Sequence, residues 1–542
     1  MRKTEVIFLY TFLLFFSSVK SQVLLDGNNI RSGFQNSGVF EQYSINEQLS
    51  GFEWPKGSGK IAVFTAGLCL AGYINTSYVD KLAECMASYK GEWSPGYCTN
   101  NSAHRDSTFR FYKVKRGDNQ YNNYDWANWG RMVPYGAPFI DVNNNGIYEP
   151  AIDTPGVKNA AQTIFLCMTD GFASERSSGE GFGGGITTPL FYAEVHLTAW
   201  CYNTPGLEDV QFIKWVIINK NNKKWQNVFA SIVSDPDLGN PNDDYIGCDT
   251  VRNLCYDYNA TNYDSIYGVN PPAVGFLLLR GLKNKDIVPY KNVNLSAFTT
   301  FIKTSSIPPP CESDPNGEAY PAFLLMQGYK KDSTNWMDVS QSPPKKTKIL
   351  YPGDPETNTG WTEFKGSMKN CGRDSTEPVI PVNPPGDRRL VMSIGAENFS
   401  VQSNDTQTLV VAQLIAQGNG NLNSVTKLKM LSDSIISFYN EHLIDTNNYY
   451  PLPPPTSFIL LQNYPNPFNA KTVIKYQLPN SAYVNIKVYD LTGRKIATLV
   501  NEQKQPGYYE VTFDGSNLPS GVYFYQLKAG EFISTKKFVL LK

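Results

Sequence analysis

The sequence predicts a mainly β protein: a multi-stranded β-sandwich body, one C-terminal amphipathic helix closing that body, and a second, smaller sandwich at the C-terminal end. Three observations carry this expectation. Short runs alternate apolar and polar residues at period two, as strands with one buried face do. Turn residues punctuate the runs, with 42 Gly and 35 Pro in the chain. Aromatic residues make up 13%, including 33 Tyr and 30 Phe, and such side chains fit a pleated, half-buried surface. At 542 residues the chain exceeds what one hydrophobic core usually holds, so two or three domains are expected.

Taken in order, the chain begins with a secretory signal peptide, residues 1–21. Arg2 and Lys3 supply its positive start, Val6 to Phe16 its apolar run, and Val19-Lys20-Ser21 a small-residue cleavage site before Gln22. That run is shorter than the roughly 20 residues a membrane span needs. No other segment qualifies, so no transmembrane segment is expected in the mature chain. The β-rich body covers 22–445. Its strands are expected at Ile61–Phe64, Phe109–Val114, Thr163–Met168, Pro189–Tyr202, Val210–Asn219, Val228–Val233, Val274–Leu279, Arg389–Ile394 and Leu409–Ala416. Pro308-Pro309-Pro310, Pro343-Pro344 and Pro384-Pro385 mark a loop-rich insertion near 305–387. Val425, Leu428, Leu431, Ile435 and Phe438 recur at spacings of three and four, which predicts a helix over Leu422–Glu441. A stiff proline-rich linker follows at 446–456.

The tail, 457–542, shows the alternation most clearly. Ile474, Tyr476 and Leu478 share one face; so do Val484, Ile486 and Val488; so do Tyr509, Val511 and Phe513. Gly493, Pro506-Gly507, Asp514-Gly515, Pro519-Ser520-Gly521 and Ala529-Gly530 separate the runs. About seven short runs at this spacing fit an immunoglobulin-like sandwich. The tail holds ten Lys+Arg against five Asp+Glu, a net charge of +5; with −1 overall, the rest of the chain carries −6. It has no His and no Cys, which argues against catalysis there.

Asn463-Tyr464-Pro465-Asn466-Pro467-Phe468-Asn469, Val488-Tyr489-Asp490 with Gly493-Arg494, Leu518-Pro519-Ser520-Gly521-Val522-Tyr523 and the Lys536-Lys537 ending resemble the C-terminal sorting domain (type A) of type IX secretion cargo. The resemblance implies export through the periplasm and across the outer membrane, with the type IX translocon and its sorting peptidase as partners of 457–542. It also implies removal of the tail, and either attachment to surface lipopolysaccharide or release. Phe52–Lys60, Asp141–Asp153 and Ser234–Asp249 resemble segments of uncharacterised surface proteins that carry the same tail, a group that offers no activity to borrow.

Only 18% of residues are charged and no basic stripe occurs, so nucleic acid is not an expected partner. Nine cysteines in an exported chain permit disulfides and leave at least one unpaired within a monomer. Cys248 and Cys255 close a short loop and are the first pair expected, with Cys85–Cys98 next. No Cys-x-x-Cys occurs to suggest a thiolate zinc site.

The best metal candidate is the Asp141–Asp153 stretch. Asp141, Asn143 and Asn145 place oxygens at positions 1, 3 and 5, and Gly146 follows at 6. Ile147 would offer its carbonyl, and Glu149 a carboxylate directly or through water. Position 12 is Ile152, and the closing acid comes one place later at Asp153. The pattern is similar to calcium loops of dockerin and thrombospondin-type modules; the plain alternative is an Asn/Gly-rich turn without metal. Structural calcium in such an extracellular site would bind loosely, on the order of 10⁻⁴ to 10⁻³ M. A second acidic group, Asp235, Asp237, Asp243, Asp244 and Asp249, reads by default as a solvated loop, with calcium as the alternative.

The long run at Phe191–Tyr202 sets Tyr192, Glu194, His196, Thr198, Trp200 and Tyr202 on one face and Phe191, Ala193, Val195, Leu197 and Cys201 on the other. An aromatic face with a carboxylate and an imidazole could bind or cleave a glycan; the alternative is a packed sheet face. Gly179–Gly184 matches a dinucleotide fingerprint by letter but leads into Thr187-Thr188-Pro189 rather than a helix, so a flexible loop is expected. The three histidines, His104, His196 and His442, lie in no recognisable triad setting. No catalytic constellation emerges, and no cofactor-binding residues. The sequence therefore points to a non-enzymatic structural, adhesive or binding protein of the surface or extracellular milieu, with surface glycan or lipopolysaccharide as candidate ligands. The alternative is a secreted glycan hydrolase or lyase using carboxylates of the body, with Glu194 and His196 as first candidates.

Overall fold

A computed structural model describes residues 22–443 and 458–542, apart from 45–48, 50, 76–78, 178–180, 183–184, 287–290, 303–308, 373–378, 464 and 505–506. The expected signal peptide and proline-rich linker lie outside the described residues, as does most of the Gly179–Gly184 run. The chain divides into two compact units, Met1–Asn440 and Glu441–Lys542.

The first unit is a sandwich of two large antiparallel sheets. One has eight strands, in the order Gln22–Leu25, Ser32–Gln35, Val39–Phe40, Thr65–Asn75, Trp225–Asp235, Arg388–Gly395 and Leu295–Ile302, with Asp80–Cys85 paired to Thr65–Asn75. The other has nine, in the order Tyr112–Lys115, Gln162–Thr169, Ala193–Cys201, Val210–Asn219, Thr406–Ala416, Ala273–Arg280, Leu254–Asn259 and Asp244–Asp249, with Ser94–Pro95 paired to Gln162–Thr169. The inner faces share one core. Phe40 of the first sheet meets Trp215 and Phe276 of the second at ring-centroid distances of 6.1 and 6.4 Å. Between Val210 and Asp249 the chain passes from the second sheet to the first and back. One crossing lies before and one after the Trp225–Asp235 strand, tying the layers together at both its ends.

The Val210–Asn219 strand has the bounds its alternation predicts. Thr65–Asn75, the longest strand of the first sheet beside Trp225–Asp235, was not expected beyond Phe64. Its residues Thr65 to Gly72 are all buried, so no polar face supplies a period of two. Gly67 within it is required by space: a Cβ there would lie 2.2 Å from the Ala87 carbonyl oxygen. The Asn421–His442 helix buries Val425, Leu428 and Ile435, and its Phe438 ring meets Tyr202 and Phe212 of the second sheet at 5.2 and 6.2 Å. Between 305 and 387 a helix, Ala319–Met326, buries Phe323, Leu325 and Met326, all drawn from one short apolar stretch with no amphipathic spacing.

The cysteine expectations are corrected. The bonded pair is Cys311–Cys371, 60 residues apart. Cys248 and Cys255 stand directly opposite in neighbouring strands with sulfurs 4.0 Å apart, about twice a disulfide bond length. Cys85 lies opposite Leu70 in the first sheet, whereas Cys98 contacts Thr169 of the second, so they cannot pair.

The second unit holds a three-stranded sheet, Ile459–Leu460, Lys471–Leu478 and Gly507–Asp514, and a four-stranded one, Lys495–Lys504, Ala482–Tyr489, Gly521–Ala529 and Phe532–Leu540. Ile474, Tyr476, Leu478, Val484, Ile486 and Val488 form its core with Phe513, Tyr525 and Phe538.

Candidate functional site

The Ala193–Cys201 strand turns its two faces as the alternation predicts, but neither is open. Phe191, Ala193, Val195, Leu197, Ala199 and Cys201 enter the core between the sheets. Glu194, His196 and Thr198 face a second, smaller core built on Phe109, Tyr112, Trp129, Met132, Phe165 and Cys167, while Trp200 stacks on Phe212 at 5.4 Å. Glu194 is 4% exposed and His196 8%. Residues 129–136, which carry Trp129 and Tyr135, lie over this face, with Gly136 so close that a Cβ there would lie 2.5 Å from His196 Nδ1. The sequence could not show this cover, because its residues come from short elements whose aromatics follow no period.

The chemistry of the Glu194 group is self-contained. One carboxylate oxygen accepts from the Cys98 amide at 3.0 Å; the other contacts His196 Nε2 at 3.0 Å and Lys220 Nζ at 3.8 Å. Burial pushes the Glu194 carboxyl up, but the bonds from His196 and Cys98 and the nearby Lys220 charge outweigh it and hold the group below the usual carboxylate range. A glycosidase acid needs the opposite shift. Cys167 joins the group, its ligand atom within 4.8 Å of the other two, and its thiol donates to the Gly96 carbonyl at 3.2 Å. Burial pushes that thiol up, so it is no thiolate nucleophile.

The Asp141–Asp153 stretch forms an exposed loop. Asp141 accepts from the amides of Asn145 at 3.2 Å and Gly146 at 2.7 Å, and Asn145 Oδ1 from the amide of Ile147 at 2.7 Å. Asn143 and Asn145 both donate to Glu149 Oε2, at 2.6 and 2.7 Å. Asp153 is buried and accepts from the amides of Val142 and Glu149, closing the loop from below. Asn144 and Gly146 take positive φ, 57° and 76°, which turns the chain tightly enough to gather positions 1, 3 and 5. Oxygen side chains and a carboxylate thus converge on one side, where they could hold calcium.

The second acidic group is not a solvated loop. Asp235 and Asp244 are buried at 2% and 1% exposure. Asp249 leaves the group: it pairs with Arg252 at 2.7 Å, and Arg252 in turn with Asp433 of the long helix at 2.9 Å. In its place the fold brings Asp257 and Asp387, which sequence reasoning missed. Asp235, Asp237 and Asp387 place carboxylate oxygens within 4.8 Å of one another. Asp257 shares a sheet face with Asp244, diagonal to it across the Asp244–Asn259 register pair, and lies near enough to feel the Asp235 and Asp237 charges. Burial pushes the Asp235 and Asp237 carboxyls up, and for Asp237 the adjacent Asp235 and Asp387 charges add to it.

In the C-terminal unit the short motifs have structural reasons. Asn463 is fully buried; its amide nitrogen donates to Thr472 Oγ1 at 2.9 Å, and its backbone N–H to the Tyr525 hydroxyl at 2.7 Å. Asn466 Oδ1 accepts from the Val539 amide at 2.9 Å, fixing the opening of the tail to its closing strand. Asp490 accepts from Thr492 and Arg494, which explains the Asp490–Arg494 turn. Tyr523 donates to the Pro519 carbonyl at 2.8 Å, a corner contact of the kind seen in sandwich folds. Residues 462–541 match the family described as "Secretion system C-terminal sorting domain". The tail is a type IX sorting domain. It addresses the chain to the cell surface or the extracellular space and implies contact with the type IX machinery. Among the described residues no helix is long and apolar enough to cross a membrane.

No curated protein matches the chain. Solved structures resemble it only slightly. A polysaccharide lyase is 8% identical, with a TM-score of 0.20 over 64% of this chain and 34% of its own. Dimeric latent PorU from Porphyromonas gingivalis is 10% identical, at 0.15 over 70% and 31%. The adhesin domain of Epf from Streptococcus pyogenes is 6% identical, at 0.12 over 68% and 98%. The chain spans about a third of the length of the first two. Likeness this slight carries no argument for activity.

Proposed function

We propose that the body is a non-enzymatic structural, adhesive or binding component of the cell surface or extracellular milieu, delivered there by its sorting tail. The observation that supports this most is the covered strand face: Glu194 and His196 are buried and bonded to each other, and Glu194 is held below the usual carboxylate range, the wrong direction for a general acid. Surface glycan or lipopolysaccharide is the partner class, and the sorting peptidase acts at the tail. A glycan array combined with a polysaccharide cleavage screen on the purified chain tests this reading. Binding without cleavage supports it. Cleavage that disappears in Glu194→Gln would establish the hydrolase or lyase instead.

The Asp141–Asp153 loop is proposed as a structural calcium site, held by Asp141, Asn143, Asn145, the Ile147 carbonyl and Glu149, with Asp153 supporting from below. Calcium would replace the Asn143 and Asn145 donors now resting on Glu149. Asp141→Ala is expected to lower bound calcium by one ion per chain; unchanged stoichiometry by elemental analysis would remove the loop from consideration.

A further inference from the structure

Where the chain leaves the first sheet after Asp235 and enters the second at Asp244, the two layers meet in a pocket of like charge. Six carboxylates gather there: Asp235, Asp237, Asp244, Asp257, Glu363 and Asp387. Two guanidinium groups oppose them. Arg388 pairs with Glu363 at 2.7 Å, and Arg389 is shared between Asp235 at 3.2 Å and Asp387. Fully ionised, the six would leave four negative charges in excess in a place that water screens poorly, and burial accordingly pushes the Asp235, Asp237, Asp244 and Asp257 carboxyls up.

Hydrogen bonding does not account for the excess. Asp244 is served by the Leu238 amide at 3.0 Å and Asn259 Nδ2 at 3.1 Å. Tyr89 donates to Asp235 Oδ2 at 2.6 Å, and the Asp235 and Asp237 carboxyls lie close enough to share one hydrogen bond, the only further relief among the described residues apart from Arg389. Asp257 is fully buried, and among the described residues neither of its oxygens has a hydrogen-bond partner. Asn259 Oδ1, on the same sheet face, has none either. A fully buried carboxylate with both oxygens bare is costly unless a positive charge faces it. The Glu194 group is the contrast: it is equally buried, yet its carboxylate oxygens both have partners.

We propose that this end of the sandwich holds a divalent cation, calcium, ligated by Asp235, Asp237 and Asp387 and faced by Asp257. The donors are all hard oxygens from three separated stretches of chain, with no imidazole or thiolate among them, which suits calcium better than zinc or copper. Asp237 and Asp387 are only half-buried, so the ion has a way in. Its role would be to fasten the first sheet to the second where the chain crosses between them. The site is separate from the Asp141–Asp153 loop and stands without it.

The test uses the purified chain carrying Asp141→Ala, titrated with calcium chloride and, in parallel, magnesium chloride, by calorimetry and thermal melting. One calcium ion per chain is expected, with a Tm rise of ~3–5 °C at about 100 times Kd, and a weaker response to magnesium. Adding Asp257→Asn should weaken calcium binding at least tenfold, while in calcium-free buffer the variant melts no lower than its parent because a repulsive charge is gone. Should that variant fail to fold, Asp237→Asn at the half-buried mouth serves the same comparison. Absence of calcium binding in the Asp141→Ala chain would overturn the proposal, and so would an undiminished calcium response after Asp257→Asn or Asp237→Asn.

Discussion

The tail and the body are built from the same kind of strand but satisfy their buried polar groups over different distances. In the tail, Tyr523 bonds to a carbonyl four residues back and Asn463 to a hydroxyl nine residues ahead, and even the Asn466–Val539 bond that joins its two ends spans only 73 residues. In the body, Gln413 Nε2 donates to Glu41 Oε1 at 2.8 Å across a separation of 372 residues, and Arg389 reaches Tyr89 across 300. Local partners leave a signature that short motifs carry, so the tail can be recognised by its letters. Distant partners leave none. What the body does is therefore a matter of which polar groups the fold assembles, and which of those it leaves unsatisfied.

Changing a long-range partner should alter how stability responds to pH, and Glu41 offers a clear case. Burial pushes its carboxyl up from 4.5 to about 8, against the bond from Gln413. The folded chain thus keeps a proton that the unfolded chain releases. The stabilisation is complete below about pH 4.5 and is lost as pH rises toward 8, at up to ~1.4 kcal/mol per pH unit. Glu41→Gln should flatten that slope and leave the variant more stable than its parent by on the order of 3 kcal/mol at pH 8, as read by denaturant unfolding across pH. An unchanged slope would show that Glu41 is not the group responsible.

A local partner should act on its own unit alone. Asn463→Ala removes the donor to Thr472 and the Pro465 carbonyl inside the tail, and is expected to cost ~2–3 kcal/mol. In a calorimetric scan only the tail transition should move. A shift of the body transition by a similar amount would contradict the independence of the two hydrogen-bond systems. Tyr523→Phe deletes one hydroxyl bond and should cost only ~1 kcal/mol, again confined to the tail.

The same distinction explains how much the sequence disclosed. Val484, Ile486 and Val488 alternate with half-buried neighbours, so their strand and its inward face follow from period two alone. The Val210–Asn219 strand was equally legible. Thr65–Asn75 was not, since both of its faces are covered and Ala, Gly and Cys interrupt its apolar run. The two faces of Ala193–Cys201 could be assigned, but not the layer over Glu194, because Trp129 and Tyr135 follow no strand or helix period. Asp141 to Gly146 announces a tight oxygen-rich loop within six letters. Asp257 and Asp387 join Asp235 only through sheet register and crossing connections, and no local spacing encodes that.

The most direct test of the account is export of the chain cut after residue 456 in a bacterium with a working type IX system. Full-length chain should be found on the outer surface or in the medium, and the truncated chain should be held inside the outer membrane with its body folded. Surface display of the truncated chain at the level of the full one would contradict the assignment of delivery to the tail.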